Sequence, residues 1–173
     1  MATWVATGVA LLLGVGAICR DHRQQRVAKV AARKMFGMPL AVMNKHADAA
    51  VQVLTGPALM GEFFPGGDPM WSAFDFYRCV YSPDFLASNV QHSLSLGKDH
   101  AALVAEVTGL CAVAQAHLNL VMQRKECWRE DCGIALRCIS DIKKALSVLD
   151  WLPSLSNEGL GGIDPERYYK PRA

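Results

Sequence analysis

Charge is missing from the first nineteen residues of this chain and sparse after them. Asp, Glu, Lys and Arg make up 20% of 173 residues, against 51% hydrophobic. That balance is more apolar and less charged than a typical soluble domain, and fits a protein attached to a membrane or covered by partners. Catalytic signatures are also missing. The five histidines (His22, His46, His92, His100, His117) form no H-E-x-x-H, and none stands at metal spacing from a carboxylate. "GVG" lies inside the apolar run, and "PGGDP" follows no strand and carries no lysine, so neither is a phosphate loop. No G-x-S-x-G occurs. No cofactor and no metal are expected, and the expected class is a non-catalytic protein.

Six cysteines are present, but not in metal-binding pairs. Cys127, Cys132 and Cys138 give C-x4-C-x5-C, unlike the C-x2-C of zinc ribbons. Cys19, Cys79 and Cys111 are isolated in sequence. Free thiols packed as small hydrophobes are expected. The alternative is a thiol-redox protein using Cys127, Cys132 and Cys138, with Arg124, Lys125 and Arg129 lowering the Cys127 pKa.

Residues 2–19 are apolar or hydroxyl-bearing on every side, so a helix there has no polar face to show to water. At 1.5 Å per residue they cover roughly 27 Å, enough for a thin hydrocarbon core. Residues 1–15 hold no Lys or Arg, which argues against a cleavable secretory signal, and the stretch is too poor in Arg for a mitochondrial presequence. The expectation is a retained single transmembrane helix over 1–19, with Trp4 near one headgroup layer. Ala6, Ala10 and Gly14 form a small-xxx-small stripe suited to helix packing in the membrane.

Basic residues follow at once. Arg20, Arg23, Arg26, Lys29, Arg33 and Lys34 face only Asp21, giving +5 over residues 20–34 within a chain of net +2. A basic band against an apolar run points to anionic lipid headgroups rather than nucleic acid, which calls for a basic face with aromatic platforms. It also orients the chain: the N-terminus outside, the rest on the cytoplasmic or matrix side of a bacterial or mitochondrial inner membrane.

Good helix formers extend this into a basic juxtamembrane helix over 20–36, for which Gly37 and Pro39 predict a stop. A helical domain over 40–152 follows. A second helix is expected from about Leu40 to Leu54, closed by Gly56-Pro57, then a Gly/Pro-rich loop carrying Met60, Phe63 and Phe64. "WSAFDFYRCVYSPDFLASNVQHSL" predicts two short helices, with Ser82 as N-cap and Pro83 at the first helical position. Its aromatics are expected in the core rather than in a ligand cage.

The clearest periodicity comes next. Leu103, Val107, Leu110, Ala114, His117 and Val121 step by alternating four and three; so do Trp128, Cys132, Ala135, Ile139, Ile142, Leu146 and Leu149. Two such segments predict an antiparallel αα-hairpin over about 98–151 sharing one seam. A rival assignment makes 101–122 a second span, against which stand Glu106, Gln115, His117 and Asn119. Residues 153–173 are rich in turn formers and are expected as an extended tail.

The fold class expected is all-α, with no strand alternation anywhere. The functional expectation is an accessory or assembly subunit of a membrane complex, partnered by other membrane-protein subunits and anionic lipid. A stand-alone membrane-surface scaffold is the further alternative.

Overall fold

The computed structural model describes residues 2–60, 69–124 and 129–155, with side chains at 19–55, 73–123 and 130–155. Among them every regular element is helical and no strand occurs. Helix α1 spans Ala2–Met60, α2 Pro69–Val80, α3 Asp84–Ser93, α4 Lys98–Arg124 and α5 Arg129–Ser147; a 3-10 turn, Leu94–Leu96, links α3 to α4. The loop residues Phe63 and Phe64, the connector residues Cys127 and Trp128, and the tail from 156 lie outside the described residues. So do the side chains of Ala6, Ala10, Gly14, Met60 and Trp71.

The sequence reading needs one correction in α1. The helix does not stop at Gly37-Met38-Pro39, nor does a second one begin at Leu40; it continues through Gly56-Pro57 to Met60. A proline inside a helix loses one backbone hydrogen bond and crowds the carbonyl four residues back, at a cost of about 3 kcal/mol. Burial on both sides of Pro39 offsets this. Phe36, Leu40, Ala41, Met43 and Ala47 are all buried, and each large apolar side chain contributes about 1.5–3 kcal/mol. Gly37 has a packing role: a Cβ there would meet the Pro153 ring, with Cδ at 3.4 Å. The boundary drawn at 36–40 therefore falls inside a continuous helix, and the core begins earlier, at Ala32.

Helix α5 packs against both α1 and α4. His117 of α4 meets Asp131 in the first turn of α5, and His100 in the first turn of α4 meets Trp151 just past the end of α5. Those two contacts make α4 and α5 antiparallel. Contacts of α1 run the same way, Gly37 against Pro153 and Asp48 with Lys143, so α1 is also antiparallel to α5. Helices α2 and α3 and the 3-10 turn pack against α1 and α4. At Gly97, φ is +99°, a conformation glycine adopts freely, and here it turns the chain into α4. Ser82 lies one residue before the helix cap at Pro83, and its Oγ accepts from the Asp84 N–H at 3.4 Å.

In α5 the buried apolar residues are Cys132, Ala135, Cys138, Ile139, Ile142, Ala145, Leu146 and, beyond the helix end, Leu149. In α4 they are Ala101, Val104, Val107, Cys111, Ala114, Leu118 and Val121. This corrects the phase of the α4 stripe. Val107, Ala114 and Val121 lie in the core, but Leu103 and Leu110 are only partly buried on its flank, and Val104, Cys111 and Leu118 hold the centre.

Among the described residues one helical segment, Lys98–Gln123, is long and apolar enough to cross a membrane by length and composition. The N-terminal run falls outside that comparison.

Candidate functional site

The feature that separates α1 from an ordinary core helix is its middle. Every residue from Cys19 to Ala31 is exposed, and no other described element covers this stretch. It forms a bare helical stalk between the apolar run and the domain, and at 1.5 Å per residue it is about 20 Å long. Arg20, Arg23, Arg26 and Lys29 lie within it. Lys34 is exposed just beyond it, whereas Arg33 is half-buried, its guanidinium 5.8 Å from the Trp151 ring centroid. Arg33 therefore belongs to the junction that ties the chain after α5 to the base of the stalk, and of the six basic residues it is the least available to headgroups. Asp21 accepts a hydrogen bond from Gln25 at 3.1 Å, one helical turn on.

Two polar clusters lie within the domain. In the first, His117 Nδ1 is 2.7 Å from Asp131 Oδ1. Two residues along α4 and on its other side, Arg78 donates to Asn119 Oδ1 at 3.3 Å and pairs with Asp75. These contacts stitch α2, α4 and α5 together; His117 is a satisfied structural histidine. Asp131 also lies in the first turn of α5, where the helix dipole favours an acid.

The second cluster is aromatic and packs α2 on α1. His46 is buried, edge-on to Phe76 at 5.0 Å and tilted to Tyr77 at 6.3 Å. Burial lowers its pKa, and neighbouring Lys45 adds to that. Tyr81 donates its hydroxyl to the Met43 carbonyl at 3.2 Å. The Tyr77 hydroxyl is buried with no hydrogen-bond partner among the described residues, and burial pushes its pKa up to about 12. Phe74, Tyr77 and Tyr81 are core residues; Phe85 is exposed and touches Phe36 edge-on at 6.2 Å. The aromatics fill the α1–α2–α3 interface instead of ringing an opening.

No family model, curated protein or solved structure matches this chain. The geometry of its own residues has to carry the functional reading.

For the thiols that geometry is informative. Cys111, Cys132 and Cys138 are buried, while Cys19 and Cys79 are exposed. Burial, with Asp141 nearby, raises the Cys138 pKa, the opposite of what a nucleophilic thiol needs. Cys132 and Cys138 sit in the core cluster, and Cys127 lies outside the described residues. Among the described residues no group of three His, Cys, Asp or Glu side chains is placed to hold a metal. Sequence reasoning missed two things: the complete exposure of 19–31, and the docking of residues 151–153 on α1. The first had a signal in the absence of any apolar stripe wide enough to pack. The second had none, because it is a contact between distant parts of the chain.

Proposed function

We propose that this chain is a single-pass, membrane-anchored accessory or assembly subunit of a multi-protein membrane complex. Residues 2–19 cross the bilayer with the N-terminus outside. The stalk carries the basic band at the cytoplasmic or matrix face, where Arg20, Arg23 and Arg26 meet anionic headgroups. The helical domain stands beyond it, in a bacterial or mitochondrial inner membrane, with no enzymatic role of its own.

The observation that carries this reading is the bare stalk. A helix with thirteen exposed residues gains nothing from packing there, and short isolated helices are marginal in water. Its use is mechanical: it joins an uncharged apolar segment to a packed domain without a hinge. Helix α4, though apolar enough to span, is read as part of the water-facing domain. Its partner α5 exposes Arg137, Asp141, Lys143 and Lys144 along its length, and each charge costs several kcal/mol at mid-membrane. The core positions of Cys132 and Cys138 support a subunit over a thiol-redox protein.

Fractionation tests it. The full chain should stay in the pellet after carbonate extraction, and deletion of residues 2–19 should release it. A tag after Ala173 should be cleaved by added protease only when the cytoplasmic or matrix face is accessible. Full-length protein in the carbonate supernatant would refute the anchor.

A further inference from the structure

Two residues weaken the middle of α1. Pro39 gives no N–H to the helix and its ring crowds the Met35 carbonyl, while Gly37 leaves the backbone freer than any other residue would. Long helices kink at such places, yet α1 runs through both without a break. The stretch that follows α5 lies against this point. On its domain side, Lys143 of α5 pairs with Asp48. At the point itself Pro153 stands beside Gly37, where a Cβ would lie 3.4 Å from the Pro153 Cδ. On the stalk side the Arg33 guanidinium lies 5.8 Å from the Trp151 ring centroid, and His100 of α4 stands 6.2 Å from the same indole. Phe36 also meets Phe85 of α3 edge-on, but Phe85 is 41% exposed and the contact lies at the rim of the domain. Residues 151–153 therefore bridge the weak point and tie it to α4.

Their own hold is slight. They follow the last helix, Trp151 and Leu152 are only half-buried, and Pro153 is exposed. The Leu152 N–H reaches the Leu149 carbonyl at 3.3 Å. Docking also seals two donors, Arg33 Nε–H and Trp151 Nε1–H, which find no acceptor among the described residues. Each gives up water and gains no bond in return, which favours undocking. We propose that residues 151–153 are a releasable strap that splints α1 at Gly37 and Pro39. Docked, the strap keeps stalk and domain on one straight helix. Undocked, it leaves a hinge between them. The device works whether or not residues 2–19 cross a bilayer. Its throw is large, because Cys19 stands about 27 Å down the helix from Gly37 and a kink of about 20° moves it by about 9 Å.

Two exposed native thiols straddle the hinge, Cys19 in the stalk and Cys79 on α2. Spin labels on both, in the full chain in mild detergent with Cys127→Ser, report their separation by double electron–electron resonance. With the strap intact the distance distribution should be narrow. Trp151→Ala combined with Pro153→Ala should broaden it by about 9 Å. Adding Gly37→Ala and Pro39→Ala should narrow it again although the strap is still lost, because alanine restores the helix at both positions. A strap that merely stabilised the domain would show no such rescue. Hydrogen exchange on the unaltered chain needs no variant to fold. The Leu152 amide should exchange about 100-fold faster than the Ile142 amide in α5, at a rate that low urea leaves unchanged, as local opening requires. Strap amides that exchange only with global unfolding, a distribution that stays narrow without the strap, or broadening that survives alanine at 37 and 39 would each overturn the proposal.

Discussion

Leu118→Ala and Leu110→Ala make the same chemical change in the same helix, two turns apart, and the structure expects them to differ. Leu118 is fully buried in the core, whereas Leu110 lies on the flank with part of its side chain in solvent. Helix propensity changes identically at both sites, so only burial separates them. Removing three carbons from a dry site forfeits about 2.4 kcal/mol of transfer energy, at about 0.8 kcal/mol per methylene. The hole left in a close-packed interior adds a cavity contribution, bringing Leu118→Ala to about 3–4 kcal/mol. At Leu110 about half the transfer loss applies and solvent fills the gap, so about 1 kcal/mol is expected. Urea unfolding of the full chain in mild detergent, followed by far-UV circular dichroism and tryptophan fluorescence, reads the difference. With a slope of about 2 kcal/mol per M, the two midpoints should lie about 1 M apart. Equal losses, or a larger loss at Leu110, would refute the α4 phase and the packing built on it.

The paired tyrosines give a second contrast. Tyr81→Phe should cost about 1 kcal/mol, because it removes the bond to the Met43 carbonyl; Tyr77→Phe should be neutral or stabilising, because its buried hydroxyl has no partner to lose. Equal destabilisation by both would contradict the geometry, and the same urea titration decides. His46 predicts the response to acid. Its folded pKa lies below the ordinary value of 6.5, so the unfolded chain binds the proton more readily. Its contribution is intact above about pH 6.5 and is lost as pH falls from there through the folded pKa. His46→Phe should flatten that part of the stability–pH curve, and an unchanged slope would show that His46 is not its source.

How much of this was legible in the sequence differs between neighbouring helices, and the reason is contrast. In α5 four exposed positions off the stripe are the charged Arg137, Asp141, Lys143 and Lys144, against two apolar flank residues, Ile134 and Leu136, so the series from Cys132 to Leu149 stands out. In α4 apolar residues occupy both stripe and flanks: Leu103, Leu110 and Val113 compete with Val104, Cys111 and Leu118. Two sets then fit the same three-four spacing, and only contact with α5, α2 and α3 selects between them. His117 sits on the displaced set. Its bond to Asp131 depends on how α5 packs against α4, which residue spacing does not encode.

The uninterrupted α1 shows the opposite failure, a strong local signal overruled by packing. Gly37 and Pro39 are each unfavourable inside a helix, and together they read as a boundary. The propensity cost is a few kcal/mol and is fixed by the two residues alone. The gain from carrying Phe36, Leu40 and Met43 into one core is of the same order per side chain, and it is available only if the helix continues. Pro153 then packs close beside Gly37, so the stretch after α5 docks on the helix where its side chain is smallest. Continuity has a functional consequence. A break at residue 37 would have placed a hinge at the domain surface and let the basic stalk swing free. An unbroken helix instead fixes the direction in which Val27, Ala31 and Met38 point relative to the core.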